Sequence, residues 1–443
     1  MAWVCSADGE RATATLARRI ATAAPDLRQV PRPDLDDPIG VAVCARPGED
    51  AVAALLPAAR AGVDVVVVVP DGCPDDPWPL LAAGVSDVLT WTGDPGPLLA
   101  RVDRLAEVDR LTREAAQTQG VVGRSLALRR ALRELVGAAR FGRGPILILG
   151  ETGTGKELAA RVAHHVVNRD RTGHLVVVDC GASTPSLLGS ELFGHERGAF
   201  TGAVSTRTGA CAAADGGTLF LDEVGELSAE LQPAFLRLIQ EGSYKRIGSD
   251  AWRRSSFRLI CATNRPLEAD VDAGRFRADL YHRIAACRVT LPPLSQRGED
   301  VTTLFRAFLT AAGLDGEIPL APAVEQTLVT RGYPGNLRDL RQLAARVAAR
   351  HPGVGPVTPG DLPVADRPPP GPDVVTGDRG VDLQAVVRDL VRAGVSLKSL
   401  RDTVGDLAVA AALDECGGNV RAAAARLGVT DRALHLRRQR TTV

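Results

Sequence analysis

The stretch that most constrains the fold is "PILILGETGTGKELAARVAHHV", residues 145–166. A short apolar run comes first, a glycine-rich loop follows, and a helical pattern of small and apolar residues completes it. Strand, loop, lysine and helix in this order cradle polyphosphate, because glycines let backbone N–H groups approach the oxygens and the helix N-terminus adds its dipole. The sequence therefore predicts an α/β fold with a phosphate-binding loop.

The residues expected to hold the phosphates are consecutive: Gly150, Glu151, Thr152, Gly153, Thr154, Gly155, Lys156 and Glu157. Lys156 supplies the positive charge. The generic motif has Ser or Thr after the lysine to bind magnesium, and Glu157 stands in that place. A chance turn is therefore the alternative interpretation when this loop is considered alone.

Two further strands end in polar residues. "GGTLFLDE" places Asp222 and Glu223 at a strand exit, where Asp222 suits metal coordination and Glu223 suits polarisation of an attacking water. A helix N-cap before "LSAEL" is the alternative. "FRLICATN" ends in Thr263 and Asn264, which are either sensors of a γ-phosphate or water, or simply a strand end.

Three arginines downstream are candidates for phosphate contacts. Arg277 and Arg283 lie in "GRFRADLYHRI", either as arginine fingers offered to a neighbouring subunit's nucleotide or as an ordinary solvated helix face. Arg338 lies in "GYPGNLRDL", at a helix start just after a Pro-Gly turn. That position predicts a phosphate sensor within the same chain.

The hexapeptide "GAFTGA", residues 198–203, fits neither a helix nor a core strand. Two glycines within six residues disfavour a helix, and Phe200 lacks alternating apolar partners for a strand. The pattern predicts a flexible loop with one phenylalanine at its tip.

Six motifs occur in a fixed order: "GETGTGKE", "ELFGHERGAFTGA", "GGTLFLDE", "GRFRADLYHRI", "LPPLSQRGEDV" and "GYPGNLRDL". This series resembles the AAA+ domain of bacterial enhancer-binding proteins, the NtrC-type activators of sigma-54 RNA polymerase. The resemblance covers residues 120–350 densely, and "GAFTGA" is nearly diagnostic. In that family Glu follows the loop lysine, so Glu157 matches the family pattern.

The resemblance implies ATP and Mg²⁺ as cofactors, with Lys156 on the β- and γ-phosphates, Asp222 on magnesium and Glu223 activating water. It makes Thr263 and Asn264 the first sensor. It also implies that Arg338 senses phosphate within the same chain, and that Arg277 and Arg283 act as arginine fingers on the nucleotide of a neighbouring subunit. Fingers acting in trans imply self-association, from a dimer to a ring that is typically a hexamer. The implied sigma-54 contacts are Gly198, Ala199, Phe200, Thr201, Gly202 and Ala203.

Asp179 is a departure from the family, which usually has Asn at this position as a restraint on the catalytic glutamate. A carboxylate near Glu223 would repel it and raise one pKa of the pair. The hypothesis is that Asp179 is a switch residue, and that it makes the coupling between ATP hydrolysis and movement of the 198–203 loop differ from that in relatives with Asn.

Residues 1–96 alternate short apolar runs with helical patterns, which predicts a doubly wound, mostly parallel sheet. The order resembles a receiver domain, but the phosphoacceptor chemistry is missing. The stretch "CSAD" leaves only Asp8 of the acid pair expected after the first strand, "VAVCARP" has no acceptor aspartate, and Trp91 or a neighbour replaces the lysine after the fifth strand. We expect a degenerate receiver-like domain that is regulated by a partner or ligand, or is constitutively docked. A linker helix is predicted over residues 97–119.

Residues 351–380 are rich in Pro and Gly and predict a linker. Residues 381–443 resemble the Fis-type helix-turn-helix of the same family, a small all-α domain for upstream double-stranded DNA. The residues expected to reach DNA are Thr430, Arg432, His435, Arg437 and Arg438. The alternative is an amphipathic helical hairpin with a solvated basic face.

The bulk composition adds little about partners, since 53 basic and 53 acidic residues balance. No Cys-x-x-Cys pair, signal peptide or membrane-spanning apolar run is evident, so we expect reduced thiols and a cytoplasmic protein without a membrane partner. Three functions remain open: a sigma-54 activator, another AAA+ machine such as an unfoldase, and a non-enzymatic DNA-binding repressor with a vestigial ATPase.

Overall fold

The computed structural model describes residues 2–367, apart from 74–75, 170–172, 182–183, 202, 315 and 317, and five single positions beyond them: 409, 412, 416, 420 and 424. The chain divides into two compact units, Met1–Arg367 and Pro368–Val443. The predicted DNA-binding residues of the helix-turn-helix lie outside the described residues: Thr430, Arg432, His435, Arg437 and Arg438.

The N-terminal part of the first unit contains a five-stranded parallel sheet in the order β2-β1-β3-β4-β5. Its strands are β1 (Ala2–Ser6), β2 (Leu27–Gln29), β3 (Ile39–Val43), β4 (Asp64–Pro70) and β5 (Asp87–Trp91). Helices α1 (Arg11–Ala23), α2 (Glu49–Ala61) and α3 (Trp78–Ala82) alternate with them. Every residue of β3 is buried, because helices cover both faces of the sheet. The described residues 30–38, between β2 and β3, form no helix.

A second parallel sheet follows, in the order β14-β6-β13-β10-β7. Its strands are β6 (Ile146–Leu149), β7 (Leu175–Asp179), β10 (Thr218–Asp222), β13 (Arg258–Thr263) and β14 (Cys287–Thr290). The helices of this part are α5 (Leu126–Phe141), α6 (Lys156–Val167), α7 (Pro185–Phe193), α8 (Ala210–Ala213), α9 (Gln232–Glu241), α10 (Leu267–Asp272) and α11 (Ala278–Ile284). Two short hairpin pairs lie outside the sheet: β8 (Gly194–His195) with β9 (Arg207–Thr208), and β11 (Ser243–Lys245) with β12 (Trp252–Arg254).

A helical lid completes the first unit, and its helices are α12 (Val301–Ala311), α13 (Pro322–Thr330) and α14 (Asn336–Ala348). The lid has its own apolar core, which includes Phe305, Leu340 and Leu343. Val357 and Leu362 are buried in the same core. The compact unit therefore extends to Arg367 rather than ending at residue 350, because two apolar side chains within the predicted linker find a place in the lid. The other predicted domain boundaries stay predictions.

One helix joins the two sheets. Helix α4 (Gly96–Thr118) buries Leu98 and Val102 in the core of the first sheet. It buries Leu111 and Ala115 in the core of the second. The linker helix predicted over residues 97–119 is thus shifted by one residue, and it packs into both cores instead of only spanning between them.

The receiver-like sheet also docks on α5 through arginines. Arg129 donates to the Ala61 carbonyl at 2.9 Å, and Arg130 donates to the Ala59 carbonyl at 2.9 Å. These carbonyls end α2, where the helix dipole favours a positive charge. Arg133 forms an ion pair with Asp64 at the start of β4. Of the alternatives left open for this domain, docking has direct contacts in the structure.

Among the described residues, no helix combines the length and apolar character needed to cross a membrane. All eight cysteines carry free thiols.

Candidate functional site

The phosphate-binding loop lies where the carboxyl ends of β6, β10 and β13 meet. It connects β6 to α6, and Lys156 is the first residue of that helix. Gly153 has φ +78° and Gly155 has φ +99°, a region that side chains rarely adopt. A Cβ on Gly153 would also lie 2.2 Å from the carbonyl oxygen of Gly335. Glycine is therefore required at position 153 by backbone conformation and by space.

Lys156 is 6% exposed, so its ammonium group is largely removed from bulk water. Its Nζ donates to the Gly150 carbonyl at 3.2 Å and forms an ion pair with Glu223 Oε1 at 3.3 Å. A buried ammonium needs such partners. The predicted phosphate-binding lysine and the predicted catalytic carboxylate are thus in direct contact.

Glu223 follows β10 and has φ +48°, an uncommon conformation for a residue with a side chain. Its Oε2 accepts from the backbone N–H of Asn264 at 3.2 Å. Strained backbone of this kind concentrates at functional sites, where the surrounding structure maintains it. The conformation directs the carboxylate toward the loop rather than into a helix cap.

The two residues at the end of β13 behave differently. The Asn264 side chain donates to Thr152 Oγ1 of the loop at 2.8 Å. Thr263 is fully buried, and its hydroxyl accepts from the backbone N–H of Arg265 at 3.1 Å. Asn264 therefore reaches the loop, whereas Thr263 shapes the turn that follows the strand.

Asp222 and Asp179 are paired in register at the ends of β10 and β7. Burial raises the pKa of Asp222, and the negative charges of Glu223 and Asp179 raise it further. Asp179 Oδ1 accepts from the backbone N–H of Gly181 at 2.8 Å. The charge of Asp179 thus acts on the predicted metal ligand Asp222.

Within the loop, two residues turn away from its open side. The Thr154 hydroxyl donates to the Glu151 carbonyl at 2.9 Å and is buried. Glu157 pairs with Arg161 at 2.7 Å, one helical turn on, and both side chains are about half exposed. Lid helix α14 contacts the loop directly, since the Leu337 N–H donates to the Gly153 carbonyl at 2.9 Å. Arg338 follows directly, with an exposed side chain.

Arg277 and Arg283 belong to α11 and its N-cap and do not join this cluster. Arg277 forms an ion pair with Asp279 at 2.8 Å, and its backbone N–H donates to Gln232 at 2.9 Å. Arg283 is exposed in the last turn of the same helix. Both side chains lie on the surface of the single chain.

The loop at residues 198–203 is folded back rather than extended. The Gly198 N–H donates to the Ala203 carbonyl at 2.8 Å, and the Ala203 N–H donates to the Phe200 carbonyl at 3.0 Å. The Phe200 ring packs edge-on against His195, with centroids 4.9 Å apart, and is 39% exposed. The predicted free phenylalanine at a loop tip is therefore partly covered. Thr201 is exposed, and Gly202 lies outside the described residues.

Sequence reasoning missed two buried residues through which the lid region contacts distant segments of the chain. Asn336 is 1% exposed and has φ +51°. Asp300 is 2% exposed and accepts from the backbone N–H groups of Arg124 and Ser125 and from the Ser125 hydroxyl. The signal available for Asn336 was its place directly after Pro-Gly, because Asn tolerates a left-handed backbone.

Comparisons with known proteins agree with this geometry. Residues 121–290 match the sigma-54 interaction domain family. The chain is 36% identical over 400 residues to the C4-dicarboxylate transport transcriptional regulatory protein DctD of Pseudomonas aeruginosa, covering 86% of this chain and 85% of that protein. The chain belongs to the NtrC-type sigma-54-dependent transcriptional activators. This activator is also 40% identical over 334 residues to ZraR of Klebsiella oxytoca, covering 75% and 71% of the two chains.

Solved structures share the activator's fold. A crystal structure of NtrX from Brucella abortus covers 100% of both chains with a TM-score of 0.51 and 25% identity. The complex of that NtrX with ADP gives a TM-score of 0.52 at 24% identity and covers 100% of this chain and 99% of that chain. The predicted α/β fold class, with a receiver-like domain, an AAA+ domain and a helical lid, is confirmed.

Proposed function

We propose that this activator binds ATP with Mg²⁺, hydrolyses the ATP, and uses the hydrolysis to remodel the closed complex of sigma-54 RNA polymerase from an upstream DNA site. One observation carries the proposal. Lys156 contacts Glu223, the backbone of Asn264 contacts Glu223, and the side chain of Asn264 contacts Thr152. The ends of three strands thus converge on one phosphate loop in the arrangement that phosphoryl transfer requires.

The residues present fit ATP and magnesium. Gly153 and Gly155 leave two positions of the loop without a side chain, and the N-terminus of α6 presents N–H groups toward the space that phosphates would fill. Magnesium is usually held by one or two carboxylates together with phosphate oxygens and waters. Asp222 would supply the carboxylate, since it ends β10 directly before Glu223. The metal would neutralise charge that develops on the phosphates.

In this proposal the chain's own groups do the following work. Lys156 leaves Glu223 and turns to the phosphates, which frees the Glu223 carboxylate to accept a proton from the attacking water. Asn264 holds the loop through Thr152, and Arg338 of α14 contacts phosphate from the lid side. Arg277 and Arg283 act on the nucleotide of a neighbouring subunit, which requires a ring.

Hydrolysis is tested with Glu223→Gln, which keeps the size of the side chain and removes its basic carboxylate. We expect the steady-state ATPase rate to fall by about 10²–10⁴-fold while ATP still binds. Glu226→Gln is the matched control, because Glu226 lies on the same segment and pairs with Arg265 at the surface. A wild-type rate no higher than that of Glu223→Gln would favour a non-enzymatic repressor instead.

The 198–203 loop is proposed as the surface that engages sigma-54. Phe200 is packed on His195 with part of its ring exposed, so it can exchange this contact for one with a partner. Phe200→Ala and Thr201→Ala should reduce capture of sigma-54 by the protein bound to an ATP transition-state analogue by at least about tenfold. Val204→Ala is the control, since Val204 is 84% exposed just beyond the loop. Capture that survives both loop changes would favour a different AAA+ machine.

A further inference from the structure

Asn336 is the first residue of lid helix α14, and it has no assigned role in the proposed site. It is 1% exposed and adopts φ +51°, the left-handed region. Among residues with a side chain, Asn and Asp reach this region most readily. The position therefore combines an uncommon backbone with a fully buried amide.

The Asn336 amide makes three hydrogen bonds to two other segments of the chain. Its Nδ2 donates to Glu151 Oε2 at 3.0 Å and to the Thr152 carbonyl at 3.1 Å, both in the phosphate loop. Its Oδ1 accepts from the backbone N–H of Leu294 at 2.7 Å, in the segment that connects β14 to the lid. The amide thus ties α14 to the loop and to the lid connection at once.

Only one orientation of the amide satisfies all three partners. The Leu294 N–H requires an acceptor, whereas the Thr152 carbonyl and the Glu151 carboxylate require donors. The NH₂ group must therefore face the phosphate loop. A buried polar group that is satisfied in a single arrangement fixes the geometry of the elements it joins.

We propose that Asn336 is a positioning residue that transmits the state of the phosphate loop to the lid. A movement of Glu151 or Thr152 on nucleotide binding acts through the Asn336 amide on the start of α14, two residues before Arg338. The adjacent bond from the Leu337 N–H to the Gly153 carbonyl strengthens this connection. The inference rests on the proposed binding of ATP at the loop.

Asn336→Asp tests the donor side of the amide by itself. Asp tolerates the left-handed backbone and keeps an acceptor for the Leu294 N–H, but it turns a second carboxylate toward Glu151 and the Thr152 carbonyl. We expect the KM for ATP to rise by about tenfold, with a smaller change in kcat, because the loop and the lid are no longer held in the binding arrangement. Equilibrium titration of the protein with a fluorescent ATP analogue should show the same loss in affinity.

The same substitution in the Glu151→Gln background separates positioning from general packing. The Gln amide can donate to the new Asp carboxylate, so the rise in KM caused by Asn336→Asp should shrink to about threefold or less in that background. A packing role alone would give an equal fold-change in both backgrounds. Asn168→Asp is the matched control, because its amide is bonded to His164 and to Thr218 at the start of β10, the end of the strand away from the phosphate loop.

The outcomes are distinguishable. If the wild type hydrolyses ATP but Asn336→Asp leaves its KM within twofold, or acts equally in both Glu151 backgrounds, the role of Asn336 is overturned while the proposed ATPase stands. If the wild type neither binds nor hydrolyses ATP, the proposed function itself fails. Should Asn336→Asp not fold by circular dichroism, Asn336→Gly keeps the left-handed backbone without the amide. It should raise the KM by at least about fivefold, and an unchanged KM would overturn the inference.

Discussion

Two parallel five-stranded sheets of similar construction end in very different chemistry. At the carboxyl end of the AAA+ sheet, Lys156, Glu223 and Asn264 form a connected polar cluster beside the glycine-rich phosphate loop. At the carboxyl end of the receiver-like sheet, Asp8 lies two residues after the first strand, and Cys44 follows the third. Both sheets place polar residues at the same edge, so topology alone does not create a site.

The difference lies in how each carboxylate is satisfied. Asp8 accepts from the Ala45 N–H at 2.6 Å, the Thr13 hydroxyl at 2.5 Å, the Ser6 hydroxyl at 3.1 Å and the Glu10 N–H at 3.1 Å. Burial alone would raise its pKa, but these hydrogen bonds outweigh burial and lower it. The lone pairs that could bind a metal are used to hold the loops together. A strand-end carboxylate is available for chemistry only where the fold leaves it under-satisfied.

The largest expected contrast concerns a cation at each sheet end. Lys156→Ala should lower ATP affinity by at least about 10²-fold, because the phosphates lose a buried ammonium. Arg46→Ala removes an exposed cation from the corresponding end of the receiver-like sheet and should leave the affinity unchanged. Isothermal titration with ATP measures both variants. Equal effects would break the contrast between the two sheets.

Asp8 is expected to matter for stability rather than for chemistry. Asp8→Ala leaves the Ala45 N–H and its neighbours without their acceptor and should lower the free energy of unfolding by about 1–3 kcal/mol. Asp8→Asn keeps the shape and one acceptor, so its cost should be smaller, about 1 kcal/mol. Chemical denaturation measures both, and the ATPase rate of each folded variant should match the wild type. A loss of ATPase in the folded Asp8→Asn protein would reveal a signalling role.

Asp222 should show a stability effect of the opposite sign and smaller size. Its pKa is raised, so the ionised form is disfavoured in the folded state. Asp222→Asn removes that cost and should increase stability by less than about 1 kcal/mol, since the group is partly exposed and solvent screens its charge. The same variant should lose magnesium-dependent hydrolysis. Destabilisation on denaturant unfolding would contradict a net cost of keeping this carboxylate ionised in the folded state.

The two carboxylates also predict opposite pH dependences. The stabilising contribution of Asp8 is present above its ordinary pKa of 3.8 and is lost as the pH falls through its lower folded-state pKa. For Asp222 the folded state favours the protonated form, so its contribution is greatest below 3.8 and declines as the pH rises through the folded-state pKa. Unfolding of the wild type and the two Asn variants between about pH 2 and 7 separates these contributions.

Much of the AAA+ domain could be predicted because its signals are local. The loop glycines, Lys156 and the strand-end pair Asp222 and Glu223 lie next to apolar runs, and chain order alone places strand ends at one edge of a parallel sheet. The sequence also showed directly that the receiver-like domain lacks the acidic residues of a phosphoacceptor site. Local patterns carry this information because backbone conformation and burial follow the immediate sequence.

The tertiary structure decided what local patterns could not contain. Asn336 meets Glu151 across 185 positions of sequence, and Asp300 meets Ser125 across 175. Phe200, predicted at the tip of a flexible loop, packs against His195. The lid extends to Arg367 because Val357 and Leu362 are buried in its apolar core. The sequence by itself determined which residues carry the pattern of a phosphate-binding site. Only the fold determined which of them meet, because long-range contacts depend on packing that no neighbouring residue encodes.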